Sequence, residues 1–259
     1  MSQRTTVILA CAAAVLLAGC DRQGASSLLG AASATDGARA SGLSPAGHEV
    51  APVFDPNNYG TTIDNVFFPL PPGTIWVYVE HTPEGVEIDT VEVTHDKKTI
   101  LDVETTVIHD RVYLEGSLKE DTFDWYAQDK QGNVWYFGED TKSYDHGQLV
   151  GTAGSWEAGQ NGASAGLIML ADPQKGDTYL QENSPGVVAD RAKVLRLDAS
   201  VTVPYGSFDG CLQTADSTPI EPGVREYKFY ARGIGPVLEV TPKGGRGRVE
   251  LVSFSTPSP

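Results

Sequence analysis

A nearly regular succession of short β-prone runs, starting near Pro52, constrains the fold more than any other feature of the chain. Branched and aromatic residues dominate these runs, and clusters of Gly, Pro, Asn and Asp separate them. The runs lie at 74–81, 86–94, 99–114, 117–128, 133–138, 177–182, 191–203, 206–214, 224–231, 234–241 and 248–254. Such runs with turn residues between them are typical of strands, and no window shows a helical stripe of useful length.

This spacing predicts an all-β domain in which neighbouring strands pair antiparallel. We expect one curved meander, half-closed or closed into a barrel, with a two-sheet sandwich as the alternative. The Gly- and Ala-rich stretch 142–176 is expected to form a long crossing loop. Within the run 86–94, apolar or branched residues alternate with the acids Glu87, Asp89 and Glu92.

The N-terminus has the order of an export signal. Arg4 precedes an uncharged apolar run, 7–18, which is too short for a membrane-spanning helix of about 20 residues. The sequence Leu17-Ala18-Gly19-Cys20 resembles the lipobox of bacterial lipoproteins. The resemblance implies a signal peptide over 1–19 and acyl chains on Cys20, which becomes the first mature residue. The alternative is an ordinary signal peptide with an incidental cysteine.

Two or three acyl chains are enough for stable membrane anchoring. The resemblance therefore implies an extracytoplasmic, lipid-anchored protein of the bacterial cell envelope, on the periplasmic face where there are two membranes. Asp21 resembles the inner-membrane retention signal of enteric bacteria. Residues 20–49, rich in Ala, Gly and Ser, predict a flexible tether that reaches roughly 30 Å. Residues 50–259 are predicted to form a single all-β domain.

Cysteine content and charge narrow the choice of partners. Cys11 leaves with the signal peptide and Cys20 is acylated, so Cys211 has no partner for an intrachain disulfide. Loss of Arg4 changes the formal charge from −15 to −16, which argues against nucleic acid and against lying flat on anionic lipid. The predicted partners are the membrane, through Cys20, and a small apolar ligand or an envelope protein. No cofactor is indicated.

The strongest local signal is the stretch 101–139, which predicts three consecutive antiparallel strands. If turns form at residues 115–116 and 129–132, position 109 faces 122 and 122 faces 139. Positions 107, 124 and 137 then line up, as do 126 and 135. Because side chains alternate across a strand, one face carries the residues Val107, His109, Arg111, Thr122, Asp124, Tyr126, Trp135, Phe137 and Glu139.

This face predicts a ligand site with an aromatic floor and a polar rim. Opposed Cβ atoms lie about 4.5–5.5 Å apart, so His109, Asp124 and Glu139 could converge. The same groups could hold a divalent cation, although we assign no metal ligand, or Asp124 and Glu139 could simply pair with His109 and Arg111. A register slip of one residue would exchange the two faces.

Three motifs resemble a group of uncharacterised bacterial secreted proteins. They are Asp124-Trp-Tyr-Ala-Gln-Asp129, Gly132-Asn-Val-Trp-Tyr-Phe-Gly-Glu139 and Gly154-Ser-Trp-Glu-Ala-Gly159. The similarity runs from about Asn65 to Val240 and implies one domain across this stretch. It implies no activity.

The leading hypothesis is a non-catalytic binding module that holds an apolar or aromatic ligand, or a partner segment. Its candidate ligand-binding residues are His109, Arg111, Asp124, Tyr126, Trp135, Phe137 and Glu139. One alternative is a hydrolase that uses His109 with Asp124 or Glu139. Another is a structural partner in envelope assembly, without a pocket.

Overall fold

The computed structural model describes residues 48–219, 222–243 and 247–257. The predicted signal peptide, the predicted acylation site Cys20 and the predicted tether up to residue 47 lie outside the described residues. Over the described ranges, the structure contains no apolar helix of the length that a membrane crossing requires.

The described residues form fifteen strands and one short 3₁₀ helix at Pro56–Asn58. The strands are β1 (Ile75–Thr82), β2 (Gly85–Ile100), β3 (Val103–Leu114), β4 (Ser117–Gln128), β5 (Val134–Asp145), β6 (Gln148–Gly151), β7 (Trp156–Glu157), β8 (Ser164–Met169), β9 (Thr178–Leu180), β10 (Glu182–Asn183), β11 (Arg191–Val203), β12 (Gly206–Ser217), β13 (Arg225–Ala231), β14 (Gly235–Lys243) and β15 (Arg248–Ser255).

All fifteen strands belong to one sheet, and each pairing between them is antiparallel. The order is β10-β8-β5-β4-β3-β2-β1-β15-β14-β13-β12-β11-β9, with β6 and β7 paired to β5 beside this path. The central strand β1 lies between β2 and β15, so strands from the two ends of the domain are neighbours.

The prediction of an all-β antiparallel meander is confirmed. Two predicted runs, 117–128 and 191–203, coincide with β4 and β11 residue for residue. Among the described strands the path of paired neighbours ends at β9 and β10 and is not a closed barrel. These two edge strands follow one another in the chain, with only Gln181 between them.

The expectation of a long crossing loop over 142–176 is wrong. This stretch contains the end of β5 and all of β6, β7 and β8, and β8 pairs with β5 and β10. These strands could not be predicted from β propensity, because their glycines are a residue type that is generally depleted in strands. Here glycine is needed because a Cβ at Gly166 would meet the carbonyl oxygen of Gln181, and one at Gly138 would meet that of Trp156.

We predict that Gly138→Ala destabilises the domain by roughly 3 kcal/mol or more, because a left-handed φ and a clash are combined. Gly138 has a φ of 125°, and its added Cβ would press on the backbone of β7. Gly147→Ala is the matched control, since Gly147 has a φ of 75° and open space around it. The control should lose only about 1–2 kcal/mol in urea unfolding followed by tryptophan fluorescence. Equal losses in the two variants would contradict the close approach of β5 and β7.

Candidate functional site

A single extra residue in β4 sets the pairing of β3 and β4. The two strands meet at the predicted turn, residues 115–116, where both φ values are positive, at 48° and 79°. Lys119 is then unpaired in the register, and this β-bulge shifts all later pairs by one residue. As a result His109 lies opposite Phe123, whereas the sequence predicted Thr122.

Two further one-residue differences occur between β4 and β5. The turn spans residues 129–133, one residue more than predicted, with the amide of Asp129 donating to the carbonyl of Asn133 at 2.9 Å. A second register shift falls beside Gly138. The two shifts add, so Asp124 lies opposite Glu139, whereas the sequence predicted Phe137.

These shifts divide the seven predicted site residues between the two faces of the sheet. We call the face of β1–β5 that carries Tyr78, Asp89, Asp110, Asp124 and Glu139 the inner face, and the opposite one the outer face. Asp124, Tyr126 and Glu139 lie on the inner face, whereas His109, Arg111, Trp135 and Phe137 lie on the outer face. The predicted convergence of His109 with Asp124 and Glu139 is therefore wrong, and the hydrolase hypothesis loses the geometry on which it rested.

On the outer face, His109 and Arg111 are partnered by acids that the sequence argument had not chosen. The Nε2 atom of His109 lies 2.6 Å from Oδ1 of Asp121, and the imidazole stacks on Phe123 with centroids 4.3 Å apart. Arg111 donates to Glu92 at 3.2 Å. These partly exposed pairs form a charged ladder across β2, β3 and β4.

The outer-face rings Trp135 and Phe137 are covered by the chain itself. Phe54 and Tyr59, which flank the 3₁₀ helix, pack edge-on against both rings with centroid distances of 5.6–6.4 Å. The indole nitrogen of Trp135 donates to Asp129 at 2.9 Å. Only two of the three rings of the predicted aromatic floor share the outer face, and Phe54 and Tyr59 of the same chain cover them.

On the inner face, Tyr136 joins two buried carboxyl groups. Its hydroxyl donates to Oδ1 of Asp124 at 2.6 Å and lies 3.2 Å from Oε2 of Glu139. A hydroxyl has a single proton, so a proton held by Glu139 can complete the second hydrogen bond. The ring of Tyr136 also stacks on Tyr126 at 4.6 Å.

Asp89 and Asp110 form a second pair of carboxyl groups, which the sequence argument missed. Asp89 lies opposite Tyr78 on β1, and Asp110 lies diagonally across on β3. The two carboxyl groups are hydrogen-bonded partners when one is protonated. Both are at most 2 % exposed. Within the described residues, no N–H or hydroxyl group donates to either oxygen of Asp89 or to Oδ1 of Asp110.

Burial is the main cause of strongly raised pKa values in all four acids, because it penalises the charged form. The pKa of Asp89 and that of Asp124 each rise to about 7. The pKa of Asp110 and that of Glu139 lie well above the usual range for a carboxyl group, since neighbouring carboxylates add to the burial. At neutral pH Asp110 and Glu139 therefore hold their protons, while Asp89 and Asp124 are near half-ionisation.

A cavity of about 50 Å³ lies against two of these four acids. Its walls include Asp110 and Asp124 and the rings of Trp76, Tyr78 and Tyr126. Residues 68–70 and Pro236 cover it from other parts of the chain.

Hydrogen bonds and ring packing hold the walls of this cavity. The indole of Trp76 donates to the carbonyl of Ile234 at 2.8 Å, and the hydroxyl of Tyr78 donates to the carbonyl of Pro236 at 3.0 Å. Phe68 packs edge-on against Tyr126 at 5.5 Å. The arrangement can enclose a small group between aromatic rings and carboxyl groups.

The alternation of acids with apolar residues in the run 86–94 was the sequence signal that could have placed Asp89 on a face of the sheet. It correctly places Glu87 and Asp89 on one face, but alternation alone does not say which face is buried. Hydrophobicity would turn Ile88 inward, whereas Ile88 is 44 % exposed and Asp89 is fully buried.

Across the described ranges, no three or more His, Cys, Asp or Glu side chains come together in a group that could hold a metal ion. No protein-family model and no curated protein sequence matches the chain. Among solved structures, the chain is similar to a crystal structure of a protein from Parabacteroides distasonis that is provisionally classed as a lipoprotein. The TM-score is 0.44 with 14 % identity, covering 74 % of this chain and 99 % of that one. A likeness of this degree carries no argument about function.

The buried acids predict that the domain is more stable in mild acid than in mild alkali. For Asp89 and Asp124, whose folded-state pKa is raised from 3.8 to about 7, the folded chain holds protons that the unfolded chain has lost. The free energy of unfolding should therefore fall as pH rises from about 4 to 7, by roughly 1.4 kcal/mol per pH unit for each such proton. Urea unfolding at a series of pH values measures this slope.

Asp89→Asn should flatten the slope and raise stability at pH 8, because an amide oxygen still accepts from Asp110 but never ionises. Asp96→Asn is the control, because Asp96 lies on the same strand and is exposed. A slope unchanged by Asp89→Asn would show that Asp89 is not a buried, proton-holding group.

Proposed function

We propose that this protein is a bacterial lipoprotein whose β-domain binds a small ligand with an apolar body. In this proposal, acyl chains on Cys20 hold the protein on the extracytoplasmic side of a membrane. The ligand occupies the cavity on the inner face of β1–β4, which is the observation that carries the binding half of the proposal.

The sequence supports the anchoring half. Leu17-Ala18-Gly19-Cys20 follows a short apolar run, and the next thirty residues are rich in Ala, Gly and Ser. A chain of this composition gives the domain room to move away from the membrane surface.

The inner cavity is favoured over the outer face for a steric reason. An apolar ligand on Trp135 and Phe137 would have to displace Phe54 and Tyr59, which already fill that surface. The inner cavity instead combines open volume with aromatic walls and a few polar groups, which is the usual composition of a small-molecule site.

Acylation is tested by Cys20→Ala with radiolabelled palmitate in growing cells. The wild-type protein should incorporate label and partition into the detergent phase, whereas Cys20→Ala should do neither. Cys211→Ala is the matched control and should keep the label, since Cys211 is buried in the domain. Label that persists in Cys20→Ala would refute the anchor.

Ligand binding is tested with three probes that share a short alkyl chain: butan-1-ol, butan-1-amine and butyrate. At least one should change the fluorescence of the full-length protein in detergent micelles, because Trp76 lines the cavity. Val91→Phe should abolish this saturable change, since Val91 also lines the cavity. Ile88→Phe, on the opposite face of the same strand, should leave it intact.

Binding that survives Val91→Phe would place the ligand elsewhere. No saturable change with any probe would refute the binding module and would favour the alternative of an envelope-assembly partner.

A further inference from the structure

The protein places its own ammonium group beside one pair of buried acids, although burial still holds the pKa of Glu239 well above its ordinary value. On the other side of the sheet's centre, Lys228 of β13 lies 3.5 Å from Asp216 and 3.8 Å from Glu239. All three side chains are at most 9 % exposed. A lysine placed between two carboxyl groups offsets the cost of removing them from water.

The acids at the cavity have no such cation. Among the residues that line the cavity, Asp110 and Asp124 carry carboxyl groups, and none is Lys, Arg or His. Oδ1 of Asp110, a residue that is 98 % buried, receives no hydrogen bond from the described residues. The site therefore has the carboxyl groups of a buried ion pair and a space beside them.

The remaining walls also suit a positive charge. Trp76, Tyr78 and Tyr126 line the cavity together with Phe68, and the faces of aromatic rings attract cations. The domain uses this interaction elsewhere, because the ammonium of Lys98 lies 3.2 Å from the ring centroid of Trp125.

We infer that the ligand of this cavity carries a primary ammonium group. This group lies beside Asp110 and Asp124, in the same way that the ammonium of Lys228 lies beside Asp216 and Glu239. The inference rests on the proposed binding function and names its ligand class. An ammonium group has three donors and is compact, so it can serve both carboxyl groups in a small space.

The size of the cavity limits the rest of the ligand. Its volume is about 50 Å³, whereas an engineered apolar cavity of about 150 Å³ admits benzene. The cavity therefore accepts the ammonium group and the first carbon atoms of a linear amine, and the rest of the chain extends beyond it. A bulky quaternary amine or an aromatic amine exceeds this volume.

Ionisable groups from seven strands face this site or lie close enough to act on it electrostatically. They are Tyr78 and Glu80 of β1, Glu87 and Asp89 of β2, Asp110 of β3, Glu120, Asp124 and Tyr126 of β4, Tyr136 and Glu139 of β5, and Glu239 of β14, with Glu182 of β10 beyond Glu139. Apart from the tyrosines these groups are acids, and a bound cation stabilises their ionised forms. Binding should therefore release protons in the range where Asp124 titrates.

The test compares butan-1-amine with butan-1-ol, which have the same carbon chain, on the full-length protein in micelles. At pH 8 the amine should bind at least about tenfold more tightly, because Asp124 is then ionised. Lowering the pH to 6 should weaken the binding of the amine and leave the binding of the alcohol unchanged. Calorimetry in buffers of different ionisation enthalpy should show release of up to about half a proton at pH 7.

Asp124→Asn should remove the preference for the amine and its pH dependence, while Tyr136 can still donate to the amide oxygen. Asp121→Asn on the outer face of the same strand is the control and should keep both. The proton release is measured on the wild-type protein and remains decisive if Asp124→Asn does not fold.

The outcomes separate the two proposals. Equal binding of amine and alcohol, lost in Val91→Phe, would overturn the ammonium inference and leave the binding function standing. Failure of every probe to bind would overturn both.

Discussion

The β-bulge at Lys119 is the constraint on which the inner face depends. Side chains alternate along a strand, so one extra residue reverses the face of everything beyond it in the pairing of β3 with β4. It places Asp110 beside Asp124 and turns His109 outward to Asp121. Without this residue, the acids of β2 and β3 and those of β4 and β5 would lie on opposite sides of the sheet.

Burying these carboxyl groups is expensive, and the protein reduces the cost in two ways. The ammonium of Lys228 lies beside Asp216, whereas Asp110, Glu139 and Glu239 keep their protons. An ionised carboxylate that is neither paired nor hydrogen-bonded would cost far more. Buried acids without a fixed cation are typical of functional sites, where stability is lower than an apolar core would give.

Most strands and the turn at residues 115–116 could be predicted from the sequence, but the face of the sheet on which each side chain lies could not. Runs of branched and aromatic residues locate most strands, and residues 115–116 form the predicted turn. The extra residue Lys119 has no compositional signal, because any residue type can occupy a bulge of this kind. Gly138 could have indicated a bulge, since an isolated glycine in a strand often marks one. The cavity was beyond prediction because residues 68–70 and Pro236 reach it only through the tertiary fold.

The most direct test of this account is a carboxyl-carbon NMR titration of the four inner acids between pH 4 and 9. Asp89 and Asp124 should titrate near pH 7, and Asp110 and Glu139 should stay protonated well above the usual pH range of carboxyl groups. Titration of all four near pH 4, together with the exposed carboxyl groups, would contradict the inner face and the site built on it.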